Sequence, residues 1–211
     1  MSKAKKGPRP VKSQAVISRK QSSTAPGWTW WVVIGGVVLV GVLVIVLTRG
    51  GGTTAAAAPP EGVQSFDSAM LGRSHTDQPV TYEQTPPVGG NHSGQWQNCG
   101  VYAQPIASGN GVHSLEHGAV WITYEPALAP DQVAAVRALA VAKDGGGARF
   151  VLVSPFPGLP APVVASAWGK QLSVQSAADP RLAQFIDAFR RGPQTPEPGA
   201  SCAGGIGQPN G

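Results

Sequence analysis

The longest apolar run in the chain is Trp28 to Leu47, where Thr29 is the only polar side chain. A helix of that length, at 1.5 Å per residue, spans about 30 Å, the thickness of a bilayer's hydrocarbon core. Trp28, Trp30 and Trp31 gather at one end, where interfacial aromatics belong. The pattern predicts a membrane-spanning helix over residues 28–48, with membrane lipid as its partner. A cleaved signal peptide is the competing reading, because Ala55–Ala58 offers an A-x-A site. The run is long for that, and the alanines lie well past its end. Residues 49–60 read as a flexible linker, rich in Gly, Ala and Pro.

The periods beyond residue 60 are shorter. Residues 61–112 are rich in Gly, Pro, Asn, Gln and Ser, which predicts loops and short strands with little helix. Ala119–Tyr124 is a β-branched and aromatic run stopped by Pro126, a strand pattern. Pro130 and Asp131 open a helix to about Lys143, striped by Val133, Val136, Leu139 and Ala140. Arg149–Ser154 is a second strand, and Val163–Val174 reads as one or two more, broken near Gly169. Asp179 caps a last helix with Pro180 at its first position, and Leu182, Phe185, Ile186 and Phe189 follow at helical spacing. The expected fold of residues 61–211 is α+β: a small sheet with two packed helices, in the order β-α-β-β-α after a loop-rich region.

Charge sharpens the topology. The net +5 is carried by the first 49 residues, which hold eight basic side chains and no acid. The remainder has eight basic and eleven acidic residues and is mildly negative. A basic tail over residues 1–27 ahead of an apolar span is a cytoplasmic retention signal. It places residues 61–211 outside the membrane and is no sign of a nucleic-acid partner.

That compartment is oxidising, so Cys99 and Cys202 are expected to pair. The competing reading leaves Cys99 free to ligate a metal near His92. All four histidines, His75, His92, His113 and His117, fall within one stretch of the exported part. His113 and His117 stand four apart, which puts them on one face of a helix or of a strand. Such imidazoles form a common half-site for copper or zinc. Glu116 is a further ligand, a partner that orients a histidine, or a general base. Residues 113–117 also fit the H-x-x-E-H pattern of inverted zinc peptidases. That pattern needs a continuous helix, whereas Gly118 and a strand-like run follow here at once.

These motifs carry a resemblance. Pro86-Pro87 with Gly90-x-His92, Trp96, Cys99-Gly100-Val101-Tyr102, Val112–Gly118, Ser154-Pro155, Ala167-Trp168-Gly169 and Pro196-Glu197-Pro198 before Cys202 follow in order. Together they resemble domain-of-unknown-function family 3105, found chiefly in actinobacterial membrane proteins, over roughly residues 61–205. The resemblance implies a single N-terminal span and no established activity. It singles out His113, Glu116 and His117, with His92 next. One departure is Pro86-Pro87-Val88-Gly89-Gly90, where members often read closer to PPTSGPH.

Three functional readings therefore stay open for an anchored, extracytoplasmic domain. The first is a transition-metal site, copper or zinc, on His92, His113, His117 and Glu116, with His75 a weaker ligand. The second is an envelope interaction or assembly module whose histidines are struts and whose partner is another envelope protein. The third is an envelope hydrolase using Glu116 and a histidine on a substrate the sequence does not name.

Overall fold

Two minimal strands, β1 (Gln64–Ser65) and β2 (Gly100–Val101), precede four five-residue strands: β3 (Val120–Tyr124), β4 (Val151–Pro155), β5 (Val163–Ala167) and β6 (Lys170–Val174). They form one six-stranded sheet in the order β1-β6-β5-β3-β4-β2 in a computed structural model that describes residues 57–143 and 150–210. The expected basic tail and membrane span lie outside the described residues. Among the described residues no helix is long and apolar enough to cross a membrane.

The three pairs β2–β4, β3–β4 and β3–β5 set the sheet's character: the first two are parallel and the third antiparallel. A parallel neighbour requires a crossover. Helix α2 (Pro130–Lys143) supplies it between β3 and β4. Strands β5 and β6 make a hairpin whose turn contains Gly169 at φ +66°. Helix α3 (Pro180–Phe189) starts where Asp179 accepts a hydrogen bond from the Arg181 backbone N–H, with Pro180 at the first position.

Period-two alternation sends side chains to two faces, and both are buried. One face presents Val120, Ile122, Tyr124, Val151, Val153, Val163, Ala165 and Leu172 to α2 and α3, which contribute Val136, Ala140, Leu182, Phe185, Ile186 and Phe189. This is the main core. Each such large side chain, fully buried, is worth about 1.5–3 kcal/mol. The other face presents Trp121 and Leu152 to a smaller core with Val112, Leu115, Tyr102 and Trp168. Burial on both sides explains why the strands read as nearly continuous apolar runs.

The second face corrects the expectation of two packed helices in a region of little helix before them. A third helix, α1 (Ser108–Glu116), covers it and buries Asn110 through Glu116. Its sequence, SGNGVHSLE, is poor in helix formers. Packing supplies the reason it forms: a Cβ on Gly111 would stand 2.6 Å from the Trp121 ring. Only glycine lets the helix lie that close to the sheet. The intrinsic cost of about 1 kcal/mol is offset by burying Val112 and Leu115.

Candidate metal centre

Helix α1 carries His113 and Glu116 one turn apart, so the two side chains project together. Two loops bring the remaining groups to them. Gln171 of β6 donates to the Pro86 carbonyl (2.8 Å), and the Gly169 N–H donates to the Val88 carbonyl (2.8 Å). Those bonds fix residues 86–92 against the hairpin. At φ +153° Gly89 passes where a Cβ would meet Leu71 at 2.8 Å and Trp168 at 3.2 Å. The loop thereby delivers His92, which is fully buried. The second loop pairs with it as a minimal ladder: Thr76 N–H donates to the His92 carbonyl (2.8 Å) and His92 N–H to the Ser74 carbonyl (3.1 Å). This bridge puts Arg73 and His75 beside His92.

Four side chains converge. His75, His92, His113 and Glu116 each offer one ligand atom, and these atoms lie within 4.8 Å of one another. Ring centroids are 4.6 Å apart for His75–His113, 4.9 Å for His92–His113 and 5.0 Å for His75–His92. Bonds of 2.0–2.1 Å to a tetrahedral ion place ligand atoms about 3.3 Å apart, so the cluster closes on an ion with small side-chain movements.

The hydrogen bonds settle which nitrogens face inward. His92 Nδ1 lies 2.7 Å from the Gly90 carbonyl, and His113 Nδ1 lies 2.7 Å from the Ser93 carbonyl. A carbonyl only accepts, so each Nδ1 carries a proton, and in the neutral ring Nε2 presents a lone pair. A backbone carbonyl on the far nitrogen is the support commonly given to metal-binding histidines. His92 Nε2 stands 2.9 Å from Glu116 Oε2, without the alignment of a hydrogen bond. Both atoms are buried and neither has a hydrogen-bond partner among the described residues. An imidazole nitrogen and a carboxylate oxygen at that separation call for a proton or a metal cation between them. Glu116 Oε1 takes a different partner, Arg73 Nε at 3.2 Å, and His75 Nε2 approaches Oε2 at 3.8 Å.

Burial is one-sided. His92, His113 and Glu116 are closed off, while the side chains of Arg73 and His75 are about half exposed. Desolvation lowers the His113 pKa to about 4; the Ser93 carbonyl opposes the shift, and the neighbouring His117, His92 and His75 add to it. At neutral pH His113 is therefore an uncharged imidazole.

His117 stands apart. It caps the C-terminal end of α1, with its ring 4.6 Å from that of His113 and nearly perpendicular. Its Nδ1 donates to the Ser201 carbonyl (2.6 Å), and its Nε2 faces Glu197 Oε2 at 3.5 Å. Both nitrogens thus face the C-terminal tail. That tail is fastened by the expected disulfide, Cys99–Cys202, and by the Cys99 N–H on the Cys202 carbonyl (2.9 Å). Cys99 is no metal ligand.

An anchored histidine–glutamate cluster and a disulfide-tied tail, following one another in this order, can be set beside known proteins. The chain belongs to the family of proteins of unknown function DUF3105, which matches residues 74–204. No curated protein and no solved structure matches it. The family stretch takes in His75, His92, His113, Glu116, His117 and both cysteines.

In this DUF3105 domain the H-x-x-E-H segment does end a continuous helix, contrary to the expectation from Gly118. The peptidase arrangement is still not formed, because His117 turns to the tail while His113 and Glu116 meet other elements. Trp96 stands edge-on or tilted against His113 and His117 (5.6 and 5.0 Å). Trp121 and Tyr124, by contrast, are core. Arg73 was not legible in the sequence: a single arginine in a polar loop carries no pattern, and only the pairing of residues 74–76 with His92 reveals its place.

Proposed function

We propose that this domain binds one transition-metal ion, copper or zinc, through His75, His92, His113 and Glu116. In this reading the domain stands outside the membrane on the anchor expected over residues 28–48. The observation that carries the assignment is the buried, hydrogen-bond-free contact between His92 Nε2 and Glu116 Oε2. A site of purely structural histidines accounts for His117, whose two nitrogens both face tail oxygens. It leaves the buried His92 Nε2 and Glu116 Oε2, side by side, without a hydrogen bond. Imidazole nitrogens with one carboxylate oxygen suit zinc or copper, whereas magnesium and calcium want oxygen ligands throughout.

The test uses the full chain, purified in detergent and loaded with copper or zinc. Mass spectrometry is expected to find one equivalent after desalting. His92→Ala and His113→Ala each lose it, and His117→Ala keeps it. Metal far below one equivalent in the folded wild-type chain would overturn the reading.

A further inference from the structure

The site has a rim as well as a floor, and the rim is cationic. Arg73 reaches Glu116 with Nε alone. Among the described residues its terminal guanidinium nitrogens have no hydrogen-bond partner, and the side chain is 53% exposed. A guanidinium offers five donors in a rigid fork that matches an oxyanion. His75, also about half exposed, stands on the same open side. On the closed side lie His92, His113 and the Trp168 ring, edge-on to His92 at 6.1 Å.

Charge makes the same point independently. The Glu116 carboxylate and the Arg73 guanidinium cancel, and the imidazoles bind a metal in neutral form. A divalent ion placed among them therefore leaves two positive charges with no counter-charge in contact. In a partly desolvated site such an excess is strongly unfavourable unless an anion joins it. The guanidinium orients the carboxylate through Nε and leaves its terminal donors for an incoming anion.

We infer that the centre takes a small oxyanion, a carboxylate or phosphate group, bound to the metal on its open side and clasped by the free end of Arg73. This rests on the metal reading above and names the class of ligand that the same site accepts. Glu116 then has two tasks, divided between its oxygens: Oε2 faces the ion, and Oε1 aims the guanidinium.

The experiment loads the full chain with Cu(II) and follows its visible absorption while inorganic phosphate, or separately acetate, is added. Wild type is expected to show a saturable spectral change with at least one of them, and the stronger response identifies the anion class. Arg73→Ala is expected to keep one equivalent of copper and to bind that anion about ten- to a hundred-fold more weakly, the loss of a charge-assisted contact. Arg73→Lys, a point charge without the fork, should fall between. One equivalent of copper with a spectrum that neither anion moves would sink this inference and leave the metal site standing. So would equal anion affinity in wild type and Arg73→Ala. Absence of bound copper would sink this inference, and absence of zinc as well would sink the metal reading with it.

Discussion

The residues of the centre divide their work by atom. His92 and His113 each give Nδ1 to a backbone carbonyl and Nε2 to the site, so their orientation is fixed by the main chain of residues 90 and 93. Acid should expose this arrangement in the metal-free protein. The folded chain holds His113 neutral down to about pH 4, while the unfolded chain protonates it near 6.5. The unfolded state therefore binds more protons between those values, and stability falls as pH drops through that window. Above the window this group contributes no pH dependence. Denaturant midpoints at pH 4.5 and 7.5 are expected to differ less in His113→Gln than in wild type, and an unchanged difference would contradict the assignment. Gly111 makes a separate prediction at the same scale. Gly111→Ala drives a methyl into Trp121 and should destabilise the fold by about 1–3 kcal/mol, although alanine is the better helix former. Urea titration reads the sign directly.

Helix α1 is the element on which the site depends, because it carries two of the four converging side chains and touches the loop that supplies a third. Ala107, the residue just before it, makes no side-chain cap, so tertiary packing holds the helix more than local signals do. Helix α3 is the opposite case. Asp179 accepts from the Arg181 N–H and also engages the Arg181 guanidinium at 2.7 Å. Asp179→Ala is expected to cost about 1 kcal/mol, seen as a lower melting temperature. Because α3 packs on the face of the sheet away from the site, metal stoichiometry should stay at one equivalent. A variant that melts normally would show that the cap contributes nothing.

At the scale of the molecule, the described residues form a sheet with two unequal cores, the smaller one beneath the site. The C-terminal tail closes this arrangement: Ile206 bridges Gln97, Asn98 holds Gly205 and Gly207, and the Cys99–Cys202 bond fastens the strap across 103 residues. Cross-linking a loop of about 100 residues stabilises by up to about 4.7 kcal/mol in the chain-entropy model. The double variant Cys99→Ser, Cys202→Ser should therefore melt well below wild type. The tail supplies no ligand to the cluster, so below its melting temperature the double variant should still bind one equivalent of metal. Loss of metal from the folded double variant would show that the tail, through His117, is part of the centre after all.

Much of the main core was legible from the chain alone. Strands β3 to β6 and helices α2 and α3 follow from apolar runs, helical stripes and Pro or Asp caps, which are local features with local causes. The histidines and Glu116 were visible as candidates because the four imidazoles fall in one short stretch, with Glu116 beside two of them. The cysteines were visible as a pair through the compartment that the basic tail implies. Three things waited for the tertiary structure. Helix α1 forms by packing on Trp121, from another element, which demands at Gly111 a residue that would otherwise argue against a helix. His75 and Arg73 join the site through a two-bond ladder to His92 that leaves no periodic trace. His117, next to Glu116 in the chain, turns away because a carbonyl and a carboxylate from residues 197–201 face its two nitrogens. Local pattern reports what each segment prefers. Which lone pairs end up facing one another is decided by contacts between segments far apart in the chain.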